Sequence, residues 1–148
     1  MSALTESLRH HHGYCDDLFA AAETAVAAGR WTAAQQALPD LHAALESHFL
    51  GEEEILFPAF ESATGMETGP TQVMRFEHEK MRALLVQMGD ALAGQDAEQF
   101  AGAAETLLIL MQQHNMKEEN ILYPMCARTL VGQAAALEPL LRERLRRT

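Results

Sequence analysis

Two copies of one short pattern carry the chemistry of this sequence. His48-Phe49-Leu50-Gly51-Glu52-Glu53-Glu54-Ile55-Leu56-Phe57-Pro58 returns as His114-Asn115-Met116-Lys117-Glu118-Glu119-Asn120-Ile121-Leu122-Tyr123-Pro124, an offset of 66 residues. Both copies read H-x-x-x-E-E-x-I-L-[FY]-P. On a helix, residues four apart lie on one face about a turn from each other, so each copy aims an imidazole and a carboxylate the same way. The same offset carries His78 back onto His12, with Cys15 aligned to Met81, Leu18 to Leu84 and Phe19 to Leu85. One half therefore presents His12, His48 and Glu52, and the other His78, His114 and Glu118. A lone core histidine reads as a hydrogen-bonded structural residue. Four imidazoles and two carboxylates in one buried layer would instead cost on the order of several kcal/mol per uncompensated charge unless a cation sits among them. Mixed nitrogen and oxygen donors suit iron, manganese or zinc, and carboxylates can bridge a metal pair.

The elements that must position these groups are helices. Alanine, leucine, glutamate and methionine dominate and β-branched residues are few, which favours helix throughout. A first helix is predicted from about Ser2 to Ala28, stopped by Gly29, with Leu4, Leu8, His12, Cys15, Phe19, Ala22 and Val26 as its inward stripe. Thr32 is a plausible N-cap for the second helix, Pro39 is expected to break or bend its first turns, and a kink is expected at Pro58. Its inward stripe is Leu38, Leu41, Leu45, His48, Glu52 and Ile55. The loop at residues 64–70 joins the two halves of the duplication. The third helix, from Pro70 or Thr71, turns Met74, His78, Met81, Leu85 and Met88 inward. Gly94-Gln95-Asp96 closes it and caps the fourth, about Ala97 to Arg128, whose inward residues are Leu107, Leu110, Met111, His114, Glu118 and Ile121. The fold class is all-α, an up-down-up-down four-helix bundle. One domain spans residues 1–148, with the bundle over about 2–128. A short C-terminal helix over about 131–146 is expected to be interrupted near Pro139. Its Arg142, Arg144, Arg146 and Arg147 read as a solvated face.

Composition narrows the function. A net charge of -10 argues against nucleic acid and against anionic membrane surfaces as partners. No apolar run approaches the roughly 20 residues of a membrane helix. The N-terminus lacks a basic-then-apolar leader, so the expected location is cytoplasmic. Cys15 and Cys126 fall roughly 20 Å apart on antiparallel helices, beyond disulfide reach.

The order H…HxxxE…H…HxxxE at His12, His48/Glu52, His78 and His114/Glu118 resembles the hemerythrin-like (HHE cation-binding) family. The segments CDDLFAAAE, EEILFPAFE, RFEHEKMR and KEENILYPM resemble its small stand-alone bacterial members, over roughly residues 4 to 128. The resemblance implies a cofactor of two non-haem iron ions. Each would take two of the four histidines, with Glu52 and Glu118 bridging together with an oxo or hydroxo group. Oxygen-carrying members have a second histidine four residues after the third-helix ligand, where this chain has Arg82. They also have a bridging aspartate five residues after the last histidine, where this chain has Glu118 at four. The balanced four-histidine set is similar to the family's iron-centre-repair and signalling members. It implies reaction with O2, peroxide or nitric oxide, fed by an electron donor that the sequence does not identify. The alternative is a non-catalytic O2 or iron storage or sensing module.

Neighbouring residues complete the expectations. His10 and His11 break the 66-residue register and are read as surface residues, as is His42. Glu53 and Glu119 lie about 140° round the helix from the ligand histidines and are expected to support them or to face solvent. Cys15, Met81, Phe57 and Tyr123 are expected to pack in the core, Tyr123 being a candidate for a hydrogen bond or radical beside the metals.

Overall fold

The computed structural model describes residues 3–145. Helix α1 spans Ala3–Ala27 and ends at Gly29, whose φ of 71° is left-handed backbone that glycine adopts without a Cβ penalty. Helix α2 begins at Trp31–Gly51, widens into one π turn at Glu52–Leu56 and continues as α-helix over Phe57–Thr64. Its N-cap is Arg30 rather than Thr32, which already lies inside the first turn. Helix α3 covers Pro70–Ala93. Helix α4 repeats the design of α2, with Ala97–Lys117, a π turn at Glu118–Leu122 and Tyr123–Thr129. Asp96 caps α4, its side chain accepting the Gln99 backbone N–H at 3.0 Å. Helix α5 is Ala134–Arg144. No strand occurs among the described residues. The result is the up-down-up-down four-helix bundle with a C-terminal helical extension, α1 packed on α2 and α3 on α4.

Both π turns start on the glutamate of the repeated pattern and precede its proline. Pro58 and Pro124 have no N–H, and in a regular helix their rings would crowd the carbonyl four residues back. Widening the turn relieves this: the Phe57 N–H reaches Glu52 O, and the Tyr123 N–H reaches Glu118 O. The extra residue rotates the rest of the helix about its axis. Leu56 and Leu122 therefore point inward, where the plain helical period places Ile55 and Ile121. Ile121 is 57% exposed and Ile55 is only partly buried. By contrast, Pro39 and Pro139 lie inside helices that are not interrupted. Leu38 and Leu41 stay buried on either side of the first, and Leu141 just after the second, so packing outweighs the lost backbone bonds.

Two apolar clusters bracket a polar layer. One gathers Phe19, Leu41, Phe49, Leu85, Met88 and Leu107; the other gathers Leu8, Leu56, Phe60, Met74, Leu122 and Leu141. Cys15 belongs to the first and Cys126 to the second, and neither forms a disulfide. Burial pushes the Cys126 thiol up to about 12, helped by the charges of Glu52 and Glu118.

Helix α5 breaks the symmetry of the duplication. It lies against α1 and the first π turn, and a Cβ on Gly51 would stand only 3.4 Å from a Leu141 methyl. The equivalent position in the second half is Lys117, which no helix could approach so closely. Arg144 pairs with Glu54 and Arg142 with Glu138, while Ser2, Arg146 and Arg147 lie outside the described residues. Leu141→Ala is expected to cost about 2–5 kcal/mol of stability, because Leu141 is fully buried and its removal leaves a cavity under α5. Urea unfolding measures it; a loss below about 1 kcal/mol would mean that α5 is not part of the core.

Candidate metal centre

The repeat delivers its six residues to one place. Glu52, His78, His114 and Glu118 bring ligand atoms within 4.8 Å of one another, and His12, His48 and Glu118 do the same. All six side chains are buried. The imidazole Nε2 atoms face the carboxylates: His78 Nε2 is 3.0 Å from Glu52 Oε1, and His12 Nε2 is 3.0 Å from Glu118 Oε1. His114 Nε2 lies 3.3 Å from Glu118 Oε2, and His48 Nε2 lies 3.5 Å from Glu52 Oε2. Because the i and i+4 members of each pattern span the last α-helical turn before the π turn, each histidine sits over its own glutamate.

Every one of these imidazoles is gripped from behind at Nδ1. His12 Nδ1 is 2.7 Å from Glu119 Oε2, and His78 Nδ1 is 2.6 Å from Glu53 Oε2. His114 Nδ1 is 2.8 Å from Glu77 Oε1, and His48 Nδ1 is 2.9 Å from His11 Nδ1. A proton held at Nδ1 leaves the Nε2 lone pair directed at the centre, the tautomer a metal requires. Glu53 and Glu119 thus support the histidines rather than facing solvent. They reach across to the opposite half, which is why both recur in the repeat.

One expectation is overturned. His11, read from its register as a surface residue, is only 5% exposed and holds His48. At 66 residues on, His11 corresponds to Glu77, and the pairs His11–His48 and Glu77–His114 share one separation of 37 residues. The register was therefore informative once polarity rather than residue identity was compared. His10 does lie at the surface beside Glu6, and His42 is exposed. Glu77 was missed as a partner of the cluster, whereas the Tyr123 hydroxyl, a candidate for a hydrogen bond there, makes two. That hydroxyl stands 2.7 Å from Glu52 Oε2 and 3.0 Å from Glu118 Oε1. Its counterpart, Phe57, stacks on the His78 ring at 5.9 Å.

Arg82, at the position where oxygen carriers have a further histidine, turns outward. Its guanidinium donates to both oxygens of Glu53 at 3.0 and 3.1 Å and to both of Glu46 at 3.0 Å, and it lies over the Phe49 ring. It therefore acts on His78 through Glu53.

Charge explains how the layer is stabilised. Burial alone would push the imidazoles down. The carboxylates of Glu52 and Glu118 override it, raising His48 to about 10 and His114 to about 9. Burial likewise opposes the charge on Glu118, but His114 and the hydrogen bonds around it hold the carboxyl well below its usual range. For Glu53, hydrogen bonds from His78 and Arg82 outweigh burial and bring it down to about 2. Tyr123 is pushed well above its usual value by burial and by Glu118 and Glu52, so its hydroxyl keeps its proton. Within this layer two buried atoms still have no hydrogen-bond partner, His114 Nε2 and Glu118 Oε2, which face each other without hydrogen-bond geometry. An unpaired nitrogen and oxygen at one point of a buried carboxylate–imidazole layer fit a cation between them.

A bundle in which each of four helices brings a histidine to one buried layer, completed by two glutamates, is a metal-cation-binding module. The chain belongs to the hemerythrin family: the model of the Hemerythrin HHE cation binding domain matches residues 3–126. No curated protein and no solved structure matches it. No helix among the described residues is long and apolar enough to cross a membrane.

Proposed function

We propose that the protein binds two iron ions through His12, His48, Glu52, His78, His114 and Glu118 and reacts with O2, peroxide or nitric oxide. The observation that carries this reading is the pair of three- and four-membered ligand clusters sharing Glu118. One ion would leave part of the six-residue set uncompensated, whereas two ions sharing carboxylates use it all. Iron is favoured over manganese or zinc by the resemblance to hemerythrin-like proteins; the donors themselves suit all three.

Two ferrous ions held by these residues would supply the two electrons that, with two protons, reduce hydrogen peroxide to two waters, and would offer a binding position for nitric oxide. The protein contributes position and insulation. Glu53, Glu77, Glu119 and His11 fix the imidazole tautomers, and the two apolar clusters keep bulk water from the layer. A cavity of about 230 Å³ is lined by Thr5, Arg9, Glu119, Tyr123, Pro124 and Ala127. It has room for a small molecule such as O2, nitric oxide or peroxide, and Tyr123 stands between it and the carboxylates that its hydroxyl contacts.

With two histidines per ion and no fifth histidine from position 82, an exchangeable position is expected at both irons. The reduced protein should therefore be oxidised by air without a lasting oxygen adduct, bind nitric oxide, and react with hydrogen peroxide. Elemental analysis combined with optical spectra of the reduced protein, before and after air or nitric oxide, tests this. A stable, reversible oxygen complex would instead establish the storage or sensing reading.

A further inference from the structure

The duplication makes the two halves of the centre comparable residue by residue, and they differ at two places that touch it. Around His78 and His114 both Nδ1 partners are carboxylates, Glu53 and Glu77. Around His12 and His48 one partner is the carboxylate Glu119, and the other is the imidazole of His11. For His48 to present its Nε2 lone pair, its Nδ1 must donate, so His11 must accept through an uncharged ring nitrogen. A neutral acceptor polarises the donor ring less than a carboxylate does. Arg82 and Lys117 draw on Glu53 and Glu77, but both carboxylates remain charged acceptors.

The second difference lies on the inner side. Tyr123 stands where the other half has Phe57, and its hydroxyl oxygen is 3.3 Å from His12 Nε2 and 3.5 Å from His48 Nε2. It thus lies beside both nitrogens of the three-residue cluster while donating to Glu52 at 2.7 Å and to Glu118 at 3.0 Å. Of the layer's atoms without hydrogen-bond partners, His114 Nε2 belongs to the four-residue cluster and Glu118 Oε2 to the carboxylate that both clusters share. The hydroxyl thus touches carboxylates of both clusters, but the ring nitrogens it lies beside are those of His12 and His48.

Resting on the two-metal reading, we propose that divalent cations load in order. The position formed by Glu52, His78, His114 and Glu118 fills first. The position of His12 and His48 fills second and releases its ion more readily, with His11 and Tyr123 as the positioning residues that set the difference. The second ion is then the more readily exchanged one.

The test uses the whole metal-free protein titrated with cobalt(II) in competition with a chelator, read by the visible absorption of bound cobalt. Wild type is expected to take one ion and then a second, with affinities at least about tenfold apart, the scale of outer-partner effects on metal sites. His11→Glu, which copies Glu77 into the first half, should tighten the second step about tenfold and leave the first unchanged. Tyr123→Phe, which copies Phe57, should also tighten the second step. It serves as the independent variant if a new buried carboxylate at position 11 prevents folding. His12→Ala should retain one tightly held ion, and His114→Ala should lose the tight step. Two ions entering wild type in a single step, or His11→Glu acting on the first step, overturns the order while leaving the dinuclear centre intact. A total of one ion removes the dinuclear reading and this proposal with it.

Discussion

Replacing Glu118 with alanine is expected to abolish binding of both metals, whereas His12→Ala should abolish only one. Glu118 is the residue common to the two ligand clusters, so no cation position is complete without it. The loss should appear as stability as well as stoichiometry. An ion present at a thousandfold excess over its dissociation constant adds about 4 kcal/mol to the folded state. In a chain of this size that corresponds to a melting temperature about 8–16 °C higher for each ion. Wild type measured with metal should therefore melt well above Glu118→Ala measured with metal, and the gap should shrink sharply when a chelator is added to both. Elemental analysis and calorimetry read the two effects separately. A Glu118→Ala protein that keeps one fully occupied ion would show that the carboxylate is not shared.

The second large effect is on pH. In the metal-free protein His48 is raised to about 10 and His114 to about 9, from an ordinary 6.5. Groups raised in the folded state stabilise it fully below their unfolded value. That contribution disappears as pH climbs through the folded values. The metal-free fold should therefore lose stability between about pH 6.5 and 10. Metal binding runs the other way, because an ion must displace the imidazolium protons before it can use Nε2. His114 and His48 stand in different clusters, so each ion displaces one of these protons and the apparent affinity of each step should rise by about tenfold per pH unit over the lower part of this range. The expected result is a metal-induced increase in melting temperature that grows from pH 6.5 to 9. A gain that shrinks over that range would mean that the imidazoles are already neutral in the metal-free fold. Glu53 behaves oppositely: brought down to about 2, it supports the fold above its ordinary 4.5, and this support is lost only as pH falls toward 2.

The outer partners give the family pattern a physical basis in this chain. Each ligand histidine is held by a residue from another helix, so the bundle must be closed for the tautomers to be set. The first glutamate of each pattern faces the centre and the second reaches to the neighbouring half.

What the sequence determined by itself was whatever depends on spacing within one helix. The i, i+4 pairs His48/Glu52 and His114/Glu118, and the 66-residue offset linking His12 to His78, are properties of the chain alone. The inward stripes of α1 and α3 follow from the same 3.6-residue period, and each of their residues is buried. Tertiary structure decided whatever depends on how one helix is rotated against another. His11 turns out to face His48, and Glu77 to face His114, because of helix packing that no within-helix period encodes. The π turns before Pro58 and Pro124 shift the register by one residue, exchanging Ile121 for Leu122 in the core. Helix α5 settles onto Gly51, a contact that only the assembled bundle could reveal. Local periodicity fixes which side chains share a face; the docking of those faces fixes which neighbours they meet.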